Sequence, residues 1–124
     1  MGTFAEMKGA VPSCPAIESE QRRALWVTDY DIESWIGVRS GIVLFRGEKC
    51  SCQFVATREG EFGPHLQYAV LRLSTDQLEQ ELKWHAHVQR QIGSGQTLDW
   101  WIERHRERNK PDYSPCEVLG WFEV

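Results

Sequence analysis

The sequence contains no apolar run long enough to cross a membrane as a helix. Its longest apolar run, residues 41–45, has the length of a β-strand, whereas a membrane-spanning helix needs about 20 consecutive apolar residues. Residues 1–6 lack the basic start and apolar core of a secretory signal peptide. We therefore expect no contact with a membrane and a cytoplasmic protein, in which the four cysteines are reduced thiols.

Positive charge is in deficit. The chain has 14 Lys and Arg residues against 18 Asp and Glu residues, which gives a net charge of −4. Affinity for nucleic acid comes mostly from contacts of Lys and Arg with phosphate groups. The composition therefore argues against general binding of nucleic acid and leaves only a local basic patch for that function.

Recognisable catalytic motifs are also missing. The sequence has no Gly-x-Ser-x-Gly, no phosphate-binding loop and no His-Glu-x-x-His. A length of 124 residues with 41% hydrophobic residues is ordinary for one globular domain with its own core. We expect a flexible tail over residues 1–14, which are rich in small residues and proline, and a single domain over residues 15–124.

The N-terminal half gives a mixed secondary-structure signal. Pro15 suits the first turn of a helix, and Glu18 and Arg22 form a favourable i,i+4 pair. These features predict a helix over residues 15–26. Residues 29–38 fit either a short helix or a strand.

The rest of the chain predicts strands and then helices. Apolar and alternating patterns predict strands over residues 42–46, 50–57, 65–73 and 117–124. Ser74 and Gln77 have the spacing of a capping box, which predicts a helix to about residue 91, and a second helix is predicted over residues 97–109. The fold class expected is α+β: an antiparallel sheet of about four strands, with two C-terminal helices packed on one face and a helical N-terminal arm.

Two pairs of potential metal ligands are interpreted as structural. His85 and His87 lie two positions apart on a predicted helix, so their imidazoles point about 160° apart and cannot chelate one ion. Cys50 and Cys52 share one face of a predicted strand with Phe54, which is typical of buried thiols. We therefore predict no metal site and no cofactor.

A small metal-dependent or Cys/His enzyme remains a third hypothesis. Its residues would come from His65, His87, Cys50, Cys52 and Cys116. Nucleophilic catalysis by Cys116 needs a base within hydrogen-bond reach, and either His65 or His105 would serve if the fold brings it close. The sequence does not give these distances.

The last predicted helix holds the candidate partner-binding residues. Trp100, Arg104 and Arg108 follow one another at helical spacing on one face, and Trp and Arg are enriched at the centre of protein interfaces. Asp29 and Asp31 are either helix caps or acidic interface residues.

The first hypothesis is a small acidic cytoplasmic domain without catalytic activity. Such a domain would act as an inhibitor, an immunity-type factor or an adaptor by masking the surface of another protein. Its acidic character favours a basic partner. The alternative is a nucleic-acid-binding module in which Trp100 stacks on bases while Arg104, Arg106 and Arg108 contact phosphates. The sequence leaves the oligomeric state open.

Overall fold

The computed structural model describes residues 2–7, 15–31, 37–93, 95, 100, 103–104, 108 and 110–124. Its centre is a five-stranded antiparallel sheet in which the strands follow one another in chain order. The strands are β1 (Arg22–Asp31), β2 (Gly37–Phe45), β3 (Glu48–Gly60), β4 (Gly63–Leu71) and β5 (Val118–Glu123). The helices are the short α1 (Phe4–Met7), a 3₁₀ turn (Ser19–Gln21) and the long α2 (Thr75–Gly93).

The predicted fold class is wrong in its details. The sheet has five strands rather than about four, and one main helix, α2, accompanies it together with the short α1. The predicted helical arm over residues 15–26 is replaced from Arg22 onward by strand β1. The Leu, Trp, Val, Thr and Tyr residues of β1 have high β propensity. Its pairing with β2 along the whole strand outweighs the single i,i+4 ion pair that suggested a helix.

The second predicted C-terminal helix, over residues 97–109, lies mostly outside the described residues. Within that stretch Trp100, Glu103 and Arg104 have helical backbone, and Arg108 lies in a bend. The first C-terminal helix is confirmed as α2. Its capping box is present, because the backbone N–H of Ser74 donates to Gln77 Oε1 at 2.8 Å and the N–H of Gln77 donates to Ser74 Oγ at 3.1 Å.

Alternating side chains divide the sheet into two faces. One face carries a core cluster that includes Val43, Cys52, Tyr68 and Phe122. β1 and β5 are the outermost strands, yet the guanidinium carbon of Arg22 in β1 lies 3.8 Å from the centre of the Phe122 ring in β5. A flat five-stranded sheet would place its outer strands about 19 Å apart. The sheet is therefore strongly curled towards this side, which we call the concave face.

The opposite side, the helix face, carries Ala69, Leu71 and Val118 in a second core cluster. Helix α2 lies against this side. The ring of His85 in α2 stacks on Trp26 of β1 with 4.2 Å between the ring centres. Stacking of this kind adds to the stabilisation from apolar burial and links α2 to β1.

The outer edge of β5 is covered by two N-terminal segments. The N–H of Ile17 donates to the carbonyl of Trp121 at 2.7 Å, and the N–H of Trp121 donates to the carbonyl of Pro15 at 3.1 Å. Thr3 forms an antiparallel bridge with Glu117. Residues 8–14 of the predicted tail lie outside the described residues, and both the flexible tail and the single domain over residues 15–124 stay predictions.

Within the described part of the chain, no helix is long and apolar enough to span a bilayer. The strand predictions at residues 42–46, 50–57, 65–73 and 117–124 each overlap one strand of the sheet. Pairing extends β2 and β3 beyond their apolar segments, β4 starts and ends two residues earlier than predicted, and β5 is one residue shorter at each end.

Candidate functional site

Among the described residues, the most exposed large apolar one lies at the tip of the β3–β4 hairpin. Gly60 pairs with Gly63, so Glu61 and Phe62 form the whole tip. Gly63 has a φ of 122°, a conformation that favours glycine and closes this tight connection. The Phe62 side chain is 97% exposed.

The surroundings of Phe62 are acidic. Glu59 and Glu61 are exposed, and neither carboxylate forms an ion pair with another described residue. The nearby cation, Arg58, is neutralised by β5, because its Nε and Nη2 donate to the Glu123 carboxylate at 2.8 and 2.7 Å. This hydrogen bonding by Arg58 is the main reason that the pKa of Glu123 falls from 4.5 to about 2.

The hairpin tip was not among the residues selected from the sequence. Residues 58–64 have the Gly and Pro content of a loop, in which charged residues are usually solvated. The available signal was Phe62 itself, a large apolar side chain that stands between charged and glycine neighbours. The same pattern also fits a Phe62 that is buried in the core, so the sequence alone does not identify the tip as exposed.

Arg108, one of the predicted partner-binding residues, is buried rather than presented on the surface. Its Nη2 lies 2.5 Å from Glu81 Oε1, and the two side chains are 4% and 0% exposed. The hydroxyl of Tyr113 also donates to Glu81 Oε1. Tyr113 packs in the core cluster of the helix face, so this group of three ties α2 to residues 108–113.

The other predicted partner-binding residues are spread over two places. The guanidinium carbon of Arg104 lies 5.8 Å from the centre of the Trp100 ring, and both residues are half-buried. Asp29 of β1 pairs with Lys110 at 2.7 Å, so it anchors the segment after Arg108. Asp31 ends β1. A partner-binding role for these residues stays a prediction, and Arg106 of the nucleic-acid alternative lies outside the described residues.

The two histidines of α2 contact different aromatic rings. His85 stacks on Trp26, while His87 lies 5.4 Å from the Trp84 ring. Burial lowers the pKa of His85. Among the described residues, no group of three His, Cys, Asp or Glu side chains is arranged to hold a metal ion.

The thiols have the environment of core residues. Cys50, Cys52 and Cys116 are free and buried, as the strand pattern predicted for the first two. Burial raises the pKa of both Cys50 and Cys52 to about 11, which keeps them protonated at neutral pH.

Cys116 and His65 are not brought together. The Cys116 thiol lies 3.3 Å from Gln77 Oε1, at the start of β5. His65 Nδ1 lies 3.8 Å from Glu123, at the far end of the same strand. Burial also raises the pKa of Cys116, which is opposite to the activation that a nucleophile needs. The other candidate base, His105, lies outside the described residues.

Comparison of the chain with protein-family models, with curated proteins and with solved structures finds no match.

Proposed function

We propose that the protein is a non-catalytic protein-binding domain that docks on a basic partner through the tip of the β3–β4 hairpin. It would act as an inhibitor, an immunity-type factor or an adaptor by masking a surface of that partner. The observation that carries this proposal is the 97% exposure of Phe62. A phenylalanine at a hairpin tip has no core to stabilise and meets water with its whole ring.

The exposed ring of Phe62 offers a partner a large apolar area to bury on binding. Transfer of a phenylalanine side chain from water to an apolar pocket contributes about 1.5–3 kcal/mol. Aromatic residues are enriched at interfaces, and a few central residues supply most of the binding energy. Phe62 fits the role of such an anchor, and it requires an apolar pocket of matching size on the partner.

The hairpin presents Phe62 in an ordered position. β3 and β4 are paired continuously from Gly60 and Gly63 back to Ser51 and Leu71, with one bulge. The Arg58–Glu123 ion pair ties the same hairpin to β5. An anchor that is already positioned loses little conformational entropy on binding, which favours affinity.

The charge around the anchor argues for a basic partner. Glu59 and Glu61 flank Phe62 with two exposed carboxylates, and the chain as a whole carries a net charge of −4. Electrostatic complementarity of this kind accelerates encounter and excludes acidic partners. We propose a cytoplasmic location, because Cys50, Cys52 and Cys116 are free thiols of the kind that a reducing compartment maintains.

A photo-crosslinking experiment tests the proposal. A benzophenone amino acid replaces Phe62 in the cells that produce the protein, and crosslinked partners are identified by mass spectrometry. The matched control carries the same group at Leu82, an apolar residue of α2 that is 41% exposed. We expect a discrete partner from position 62 that position 82 does not give.

Calorimetry with that partner then measures the anchor directly. We expect Phe62→Ala to weaken binding by about 30-fold, since a central aromatic anchor contributes about 2 kcal/mol, and Leu82→Ala to leave affinity unchanged. Replacement of Glu59 and Glu61 by Gln should slow association at low salt. Identical crosslinks from both positions, or full affinity of Phe62→Ala, would contradict the proposal.

A further inference from the structure

The curled sheet encloses an apolar pocket on its concave face. The pocket has a volume of about 550 Å³, which lies within the range of about 300–1,000 Å³ that is typical of small-molecule sites. Its floor and walls come from both ends of the sheet and include Val43, Cys52, Leu66, Tyr68 and Phe122. The same curvature that places β1 close to β5 therefore creates this space.

Arg22 carries the only charged side chain among the described residues that line the pocket. Its guanidinium lies on the face of the Phe122 ring, which holds it in place by a cation–π contact. Arg22 Nε is buried and has no hydrogen-bond acceptor among the described residues. A buried charged donor without an acceptor is destabilising because its lost hydration is not replaced, so an acceptor brought by a ligand would relieve that cost.

Of the other polar groups on the described lining residues, the indole N–H of Trp26 is likewise buried without an acceptor, whereas the Tyr68 hydroxyl is already satisfied and the Cys52 thiol is a weak donor. The hydroxyl of Tyr68 donates to the carbonyl of Val38 at 2.5 Å. Burial is the largest cause of the raised pKa of the Cys52 thiol, which indicates surroundings of low polarity. Arg22 therefore supplies the single charged donor among the side chains that line this mainly apolar site, and no side-chain carboxylate lies among the described lining residues to compete for it.

We propose that this pocket binds a small amphipathic carboxylate, whose apolar body lies between Leu66, Cys52 and Val43 and whose carboxylate accepts hydrogen bonds from Arg22. A carboxylate fits because guanidinium presents two parallel donors that match its two oxygens. An apolar body fits because the other lining side chains offer mainly dispersion contacts. The site is separate from the hairpin tip, since Phe62 does not line the pocket.

Three ligands with the same apolar chain test the charge requirement in the wild-type protein. Decanoate and decyltrimethylammonium are titrated below their micelle concentrations and 1-decanol below its solubility limit, and binding is followed by calorimetry and by tryptophan fluorescence. We expect saturable binding of one decanoate, at least tenfold weaker binding of the alcohol, and no binding of the cation. Equal affinity for all three, or no saturable binding of decanoate, would overturn the proposal.

Two arginine variants then locate the charge. Arg22→Met keeps the apolar stem of the side chain but removes the guanidinium, and it should weaken decanoate binding at least tenfold without change for decanol. Arg46→Met is the matched control, because Arg46 also lies over a phenylalanine ring, 4.8 Å from the centre of Phe45, but does not line the pocket. Equal loss in both variants would refute the assignment of Arg22.

A third variant fills the pocket with a larger side chain, and thermal unfolding checks that each variant is folded. Ala24 is exposed at the rim of the pocket, so Ala24→Trp is expected to fold while abolishing the binding of decanoate and decanol alike. A cooperative thermal transition in each variant shows that a loss of binding is not caused by unfolding. Phe62→Ala should bind decanoate with wild-type affinity, which separates failure of this site from failure of the hairpin tip.

Discussion

The strongest test of the packing concerns the buried ion pair between α2 and residue 108. The change is Arg108→Met, which keeps much of the volume and the apolar stem but removes the charge. Glu81 is fully buried, with Arg108 as its cationic partner and the Tyr113 hydroxyl as a further donor. The variant would leave a carboxylate in the interior with one neutral donor.

The loss of stability in this variant follows from leaving the buried charge of Glu81 without its cationic partner. Removal of one partner of a buried ion pair costs about 3–5 kcal/mol, because the remaining charge stays desolvated. A domain of this size loses about 1–3 kcal/mol of stability per molar urea, so the urea midpoint should fall by about 2 M. The double variant Glu81→Leu with Arg108→Met removes both charges and should recover most of that loss.

The assay is equilibrium urea unfolding followed by tryptophan fluorescence and by circular dichroism, whose coincidence checks two-state behaviour. The matched control is Lys83→Met, which breaks an exposed pair on the same helix, with Lys83 Nζ 3.6 Å from Glu79. An exposed i,i+4 pair contributes about 0.3–0.5 kcal/mol. If Arg108→Met destabilises no more than Lys83→Met, the interpretation of Glu81 as a charge that depends on Arg108 is refuted.

Two further predictions concern pH. Because the Arg58 hydrogen bonds lower the pKa of Glu123 from 4.5 to about 2, the stability that they contribute is present above pH 4.5 and is lost as the pH falls towards 2. NMR titration should show the pKa of Glu123 returning towards 4.5 in Arg58→Met. An unchanged pKa in that variant would contradict the prediction. Burial raises the pKa of Cys52 from 9.0 to about 11. The contribution of this buried thiol to the free energy of unfolding is therefore present below pH 9 and is lost as the pH rises through 11, by about 1.4 kcal/mol per pH unit. Urea midpoints at pH 8 and pH 10 should differ less in Cys52→Ala than in the wild type, and equal differences would count against this prediction.

The sequence predicts best where local chemistry decides the structure. The Ser74–Gln77 capping box needs only residues three apart, and both of its hydrogen bonds form. The thiols of Cys50 and Cys52 share a buried face because the period of a strand is two. Local spacing therefore located α2 and the core side of β3 without any long-range information.

Prediction fails where distant contacts outweigh local patterns. In α2 the apolar residues Leu82 and Ile92 are exposed, and the fully buried residue is Glu81, whose charge alone would favour the surface. The buried carboxylate of Glu81 is compensated by the ion pair with Arg108 and the hydrogen bond from Tyr113, which both lie in a distant segment of the chain. The sequence spacing of Arg108 favoured the surface, since nothing nearby in the chain indicates a buried carboxylate as its partner.

The closure of the β5 edge has a consequence for biosynthesis. Gly2, Pro15 and Ile17 are translated about 100 residues before Val118 and Trp121, yet they hydrogen-bond with them. During elongation these earlier residues therefore lack the strand on which they dock, and the wait lasts about 5–25 s at ordinary translation speeds. Nascent chains stalled before residue 118 should leave these residues open to proteases, whereas synthesis past β5 should protect them in a single later step.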